Sequence, residues 1–371
     1  MNMYNFYKTY PFLALVGLIT GIIWQKEALP LYILIFIPLV FLIISNYFKK
    51  KLKPTLLLLV ICSFLLGSYQ FYSQQNDFHT FYKKYGYGKP DLIGTIKEIE
   101  ENNQNKNQLS KKNLNQKITL NISKIKNWKY PSWQNCNKNI FIYTDKTEKF
   151  EIEDTLKITK AYFKKPTNTS FAHYLLKEKT VATLFIPSNK LKFIFKPTYH
   201  LSRFIKKQRA LILNNIKKKM SSNLFLFFKA VFLGEPTAKK NILLEKKLFK
   251  NWGLLHYTAR SGLHLILFIL FWSTFFSTLP IHTTKKQIFL LIITSIYTAL
   301  SWPSIPFSRA FNTYILYKIG TLLKFQTNLF YILIIISYLT LIQNPILLFF
   351  LDFQLSFGLT GALAYFNLPT D

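Results

Sequence analysis

The apolar residues of this chain are gathered into runs instead of being spread at regular spacing, and that clumping constrains the fold more than any other feature. Three runs come in quick succession, Pro11 to Trp24, Ala28 to Phe48 and Pro54 to Tyr72. A hydrocarbon layer of ~30 Å takes about 20 apolar residues in a helix, so each run reads as a membrane span. Lys8 ahead of the first run would suit a cleavable signal sequence, but no small-residue cleavage site follows and the second run begins at once. Lys49, Lys50, Lys51 and Lys53 mark their loop as cytoplasmic by the positive-inside rule. The amino terminus is then cytoplasmic as well, and the chain after Tyr72 emerges outside. Later runs at 263–279, 288–302, 328–341 and 346–365, with a less regular one at 307–324, bring the expectation to seven or eight spans.

Between the early and late runs the composition turns polar. From Gln74 to His200 there are 23 Lys and 11 Asp+Glu, and no stretch is long enough to span. Short alternating or β-rich segments recur at 91–99, 117–125, 139–143, 155–163 and 180–186, with a helical 170–176 before the last. Five strands with one helix before the fifth fit a small closed or nearly closed barrel of the OB type. Residues 101–116, rich in Asn, Gln and Lys, read as a long loop between the first two strands. Basic amphipathic stretches at 204–220 and 239–251 flank an apolar patch at 224–233, and stretches of this kind lie in a membrane interface more often than they cross it. The expected plan is three helices in 1–73, an extracytoplasmic OB-like domain in 74–200, interfacial helices in 201–261 and a helical membrane domain in 262–371. The fold class is thus a polytopic α-helical membrane protein with an inserted β-barrel domain.

The formal charge of +32 points toward a polyanion or an anionic membrane surface. Only four of the 48 cations are arginine (Arg203, Arg209, Arg260 and Arg309), and Asn, Ile, Phe and Tyr are abundant, as in an AT-rich coding sequence. Lysine number alone therefore says little about nucleic acid, and each arginine says more. The two cysteines, Cys62 and Cys136, support neither a disulfide framework nor a cysteine metal site within one chain.

Four short motifs follow one another in the second half: Leu233-Gly234-Glu235-Pro236; Gly253-Leu254-Leu255-His256 leading into Ser261-Gly262-Leu263-His264; Ser308-Arg309-Ala310; and Asn344-Pro345 ahead of Phe353-Gln354-Leu355-Ser356-Phe357. Together these resemble the ComEC/Rec2 family of competence proteins, the inner-membrane channel for single-stranded DNA in natural transformation. Glu153-Asp154-Thr155-Leu156, and Pro166 followed by Phe171-Ala172-His173-Tyr174-Leu175, resemble that family's soluble amino-terminal domain. The resemblance runs from about Pro54 to Phe366. The residue before Ser261 is usually aliphatic in the family, where this chain has Arg260, and the aromatic segment 127–137 is peculiar to this chain. Many members continue into a metallo-β-lactamase-like domain; no His-x-His-x-Asp-His cluster occurs here, so a short form without that domain is expected.

The resemblance makes Arg260, Ser261 and His264 candidates for a pore entrance that handles phosphates at a helix amino terminus. An equally weighted reading has Ser261 capping the helix, Gly262 allowing close packing and His264 bonded within the bundle. Arg309, after Pro303 and Pro306 in an apolar stretch, is either a phosphate-contacting residue or an arginine at headgroup level. Gln354 and Ser356 alternate with apolar neighbours and serve either the DNA path or interhelical hydrogen bonds. In the polar domain Trp128, Lys129, Tyr130 and Trp133 combine aromatic faces for stacking bases with cations for phosphates. Covering a core or anchoring at headgroups would use the same aromatics.

No nucleophile–base pair or metal constellation is visible, so no enzyme activity, cofactor or metal is expected. The implied function is passive import of single-stranded DNA through the inner membrane. The implied partners are the strand, the bilayer, a competence DNA receptor, a cytoplasmic motor ATPase, a separate nuclease and other copies of the chain. Two alternatives stand beside it: a truncated, non-conducting assembly homologue, and a transporter of another polyanion.

Overall fold

A computed structural model describes residues 3–27, 54–86, 88–101, 116–145, 150–166, 168–196, 201–234, 251, 262–301, 304–325 and 328–366. The chain divides into two compact units, one of residues 1–75, 262–294 and 304–371, the other of residues 76–261 and 295–303.

The first unit is helical. Its elements are α1 (Met3–Lys26), the first part of α2 (Pro54–Tyr85), α6 (Gly262–Ser277), most of α7 (Thr283–Leu300), α8 (Ile305–Leu322) and α9 (Leu329–Gln343). A 3-10 turn, Pro345–Phe349, then leads to a last helix, α10, built from Leu351–Phe353, a π-helical Gln354–Leu359 and Thr360–Phe366. The expected spans that fall on described residues are helical over most of their length, though not throughout, yet among the described residues no helix is long and apolar enough to cross a membrane. The polytopic fold class is therefore overturned. At 1.5 Å per residue, α6 with 16 residues and α9 with 15 reach only about 22–24 Å, short of a ~30 Å layer. Helix α7 opens on Lys285 and Lys286, and α8 carries Arg309, Asn312 and Lys318 along its length. Phe350, in extended conformation, separates α10 from the turn before it. Helix α1 contains Pro11 and ends at Gln25 and Lys26, and α2 turns polar from Gln70 onward. The expected span at 28–48 and the lysine cluster used for orientation lie outside the described residues.

Helices α1 and α2 cross at glycines. A Cβ on Gly21 would lie 2.1 Å from the Phe64 carbonyl oxygen, so no larger residue fits without separating the pair. Polar bridges tie the unit further: Ser68 donates to Gln25 (3.0 Å), Gln74 to Asn344 (2.8 Å), and the Ser63 and Tyr338 hydroxyls lie 3.2 Å apart. Other faces stay bare, with Ile266, Leu267, Leu270 and Phe271 of α6 and Ile288 and Ile292 of α7 all exposed. Apolar surface on that scale marks contact with lipid or with another protein.

The second unit is built on a sheet. Alternation places Ile118, Leu120 and Ile122 of β2 (Gln116–Asn127) fully inside while Lys117, Thr119 and Asn121 face outward. β1 (Asp91–Glu101), β2 and β3 (Tyr130–Thr144) form an antiparallel meander. β4 (Thr155–Ile158) adds antiparallel to β1, and β6 (Leu191–Phe195) to β4. After α3 (Thr169–Lys177), β5 (Thr180–Phe185) joins β3 in parallel. The order β5-β3-β2-β1-β4-β6 is a six-stranded mixed sheet, which replaces the expected five-stranded OB-like barrel. Two local facts account for the difference. The predicted strand 155–163 stops at Ile158, because Lys160 adopts a positive φ of 53° and Ala161 donates to the Pro90 carbonyl; Lys164 alone returns, as a single bridge to Thr183. Residues 191–195 then take the free edge of β4. The expected loop at 101–116 lies outside the described residues except at its ends.

The second part of α2 packs on this sheet through Phe78, Phe81, Tyr82 and Tyr85, all buried. Phe81 meets Phe163 edge-on at 5.0 Å, and the Tyr85 hydroxyl donates to Gln134 (3.1 Å). Complete burial of side chains such as Leu92, Ile96 and Ile140 contributes about 1.5–3 kcal/mol each. Helices α4 (Leu201–Lys219) and α5 (Ser222–Phe232) also belong to this unit.

Candidate functional site

Pro306 at the start of α8 presets helical φ where a free N–H is not needed, and Arg309 follows within the first turn. Its guanidinium reaches α10, donating through Nη1 to the Ser356 carbonyl and to the Thr360 hydroxyl. The Thr360 hydroxyl in turn donates to that same carbonyl at 2.8 Å. The guanidinium carbon lies 6.0 Å from the Phe357 ring, in cation–π range. The π-helical Gln354–Leu359 is the segment that receives the arginine, and such widened turns often coincide with functional positions. The Nε of Arg309 and the Oγ of Ser356 are buried and have no hydrogen-bond partner among the described residues.

The first turn of α6 closes the node. A Cβ on Gly262 would stand 3.0 Å from the Ala310 Cβ and 3.8 Å from the Arg309 Nη2, so the absence of a side chain lets α6 lie directly on α8. Three motif segments far apart in sequence thus meet around one arginine. His264 is half-buried in that same first turn of α6. Gln354 points elsewhere: it is exposed and donates to the Leu348 carbonyl at 2.9 Å. Arg260 and Ser261 lie outside the described residues. Gln354 and Ser356 do not share a side, the first exposed and the second half-buried, because a helical path turns i and i+2 to different faces. Next to this node, α8 and α9 border a groove of about 260 Å³ whose polar lining is Asn312, Thr340 and Gln343.

In the second unit the aromatic segment is a hairpin tip followed by strand. Trp128 is 77% exposed, and Gly88, with φ of +105°, packs against its indole. Lys129 is exposed, and Tyr130 opens β3 opposite Asn127. Trp133 stands on the outer face with the Lys157 ammonium 5.9 Å from its ring. Sequence reasoning missed Lys157, which comes beside Trp133 only through sheet pairing. Register places Lys124, Ile93, Lys157 and Lys192 in one row across β2, β1, β4 and β6. Cations beside an exposed indole on one face suit an anionic strand with unstacked bases.

The sequence also hid an ionic lock. Asp154, 1% exposed, accepts from the Glu151 amide at 2.8 Å and from the Arg203 guanidinium. Glu151 lies 3.1 Å from both Lys196 and Arg203. The hydrogen bond from Lys196, with the further charges of Arg203 and Lys207, holds the Glu151 carboxyl below its ordinary value despite partial burial. Elsewhere on the sheet, burial pulls Lys117 down, but Glu100 and Tyr174, each 3.4 Å away, outweigh it and leave the ammonium above its ordinary value. Among the described residues no group of three or more His, Cys, Asp or Glu could hold a metal ion.

Comparison with known proteins bears on the first unit. A family model described as Competence protein matches residues 244–370. No curated protein and no solved structure matches the chain. The matched segment contains α6 to α10, and with them the Arg309 node; the match supports a role in DNA uptake during competence and an association with the membrane. Residues 244–370, the carboxy-terminal third of the chain, match the ComEC/Rec2 competence domain.

Proposed function

We propose that the chain is a component of the path by which single-stranded DNA enters the cell across the cytoplasmic membrane during natural transformation. The observation that carries this reading is the meeting of Gly262, Arg309 and Ser356 within the segment that matches the competence family. The Trp133–Lys157 face supports it as the surface that collects the strand. Passage is passive on this reading: lysines neutralise phosphates, indoles stack bases, and the pull comes from a cytoplasmic motor ATPase. A competence DNA receptor would deliver the strand, a separate nuclease would remove its complement, and further copies of the chain would complete the path. No chemical step is assigned to the described residues.

Ultraviolet cross-linking tests the reading directly. Transforming DNA carrying bromodeoxyuridine, irradiated during uptake, should give a covalent adduct with this chain. Uptake that proceeds without such an adduct refutes it.

A second reading, a non-conducting assembly homologue, draws on one observation: the Arg309 guanidinium is engaged by a helix carbonyl and a hydroxyl. Arg309→Ala separates the two. A conducting component loses cytoplasmic label while surface-bound DNA is retained, whereas an assembly homologue keeps both.

A further inference from the structure

Residues 187–234 contain no Asp or Glu but eleven cations: Lys190, Lys192, Lys196, Arg203, Lys206, Lys207, Arg209, Lys217, Lys218, Lys219 and Lys229. The fold brings two elements of this stretch to one corner. Lys196, just past β6, and Arg203, in the first turn of α4, both lie 3.1 Å from Glu151. Arg203 also grips the buried Asp154, so α4 is fastened to the sheet at its start.

From that fastening the two elements turn apolar side chains outward. Phe193, Ile194 and Phe195 of β6 are 50%, 46% and 58% exposed, and Phe204, Leu211 and Ile212 of α4 are 58%, 49% and 44% exposed. On α4 the three sit at i, i+7 and i+8, one stripe of the helix, while Ile205, Leu213 and Ile216 on the other side are half-buried. Lys207 and Lys218 lie on the exposed stripe, and Lys192 and Lys196 flank the β6 residues. An apolar centre rimmed by cations, with Glu151 at this corner already engaged by Lys196 and Arg203, is the pattern of an element that lies in a bilayer interface, where lysine stems pass along the acyl boundary and ammoniums reach headgroup phosphates.

We propose that the corner formed by β6 and α4 docks on an anionic lipid leaflet, with Phe193, Phe195, Phe204, Leu211 and Ile212 entering the headgroup–acyl boundary. Lipid is favoured over nucleic acid because aliphatic Leu211 and Ile212 offer no face to stack a base. The docking requires no DNA, and so stands or falls separately from the import reading.

The test uses the full chain with Cys62→Ser and Cys136→Ser and one new cysteine at a time: Leu211→Cys, Phe195→Cys, or Lys126→Cys on the sheet's outer face. Each is labelled with an environment-sensitive fluorophore and reconstituted into phosphatidylcholine vesicles with and without phosphatidylglycerol. Nitroxide-bearing lipid should quench positions 211 and 195 roughly three-fold more than position 126, and more strongly with phosphatidylglycerol present. Adding Lys207→Gln or Lys218→Gln should lower that gain about five-fold each. Equal quenching at all three positions overturns the proposal. So does a response at 211 and 195 to single-stranded oligodeoxythymidylate in place of lipid, which would give the surface to nucleic acid.

Discussion

Replacing Asp154 with asparagine should loosen α4 from the sheet by about 3 kcal/mol. The carboxylate is 1% exposed and accepts both the Glu151 amide and the Arg203 guanidinium, whose own side chain is 14% exposed. Asparagine keeps the shape but loses the charge, and its NH₂ must then face one of two donors. Removing one partner of a buried pair costs about 3–5 kcal/mol, since the other is left buried and uncompensated. The lower end applies because Arg203 retains Glu151 at 3.1 Å, a carboxylate 58% exposed. A loss of about 3 kcal/mol raises the open population roughly hundred-fold. Amide hydrogen exchange in α4 should accelerate by that factor in the full chain with Asp154→Asn. The half-exposed Lys97–Glu153 pair supplies the control: Lys97→Met should cost under about 1 kcal/mol, because water already screens it. Exchange in α4 of the Asp154→Asn chain within three-fold of the parent would refute the reasoning.

Acid should act on the same junction. Because the folded Glu151 carboxyl is held below its ordinary value, its contribution is present above that value and is lost as pH falls through the depressed one; α4 exchange should rise only in that acidic window, and a rise near neutral pH would contradict it. Gly262→Val puts bulk where a Cβ already stands 3.0 Å from Ala310, an overpacking cost of about 1–3 kcal/mol. Cytoplasmic DNA should fall at normal protein level, while Leu263→Val, at an exposed position, should be tolerated. Lys157→Ala should reduce the slope of log affinity for single-stranded DNA against log salt by about 0.7, and Trp133→Ala should cost ~1–3 kcal/mol of affinity without changing that slope. Cys136, whose thiol burial pushes up despite nearby Lys138, should alkylate more slowly at pH 8 than a free thiol, as timed labelling followed by mass spectrometry would read.

Alternation made the central strands readable: in β2 the pattern Ile118, Leu120, Ile122 survives into the core without change. β6 was not readable, because Leu191–Phe195 is five residues of apolar run between lysines, and only the vacant edge of β4 makes it a strand. The apolar runs located the helices but overstated their reach, since Phe350 and the polar openings of α7 and α8 break or shorten them in ways that hydropathy alone does not weigh. Arg309 stood out in the sequence as one of four arginines, yet its partners, the Ser356 carbonyl in a π-helical turn 47 residues away and the Thr360 hydroxyl just past it, came from the fold. Asp154 gives no signal within Glu153-Asp154-Thr155-Leu156, because its importance rests on Arg203, which packs against it from α4. Lys157 gave no local signal at all; pairing of β4 with β1 is what carries it to Trp133.

Uptake of labelled DNA by a host strain lacking this gene, with surface-bound and cytoplasmic label scored separately, tests the import account most directly. The account predicts label that accumulates outside the cytoplasmic membrane while the cytoplasmic fraction falls to background, restored by the intact gene. Cytoplasmic label unchanged from the parent strain would contradict it.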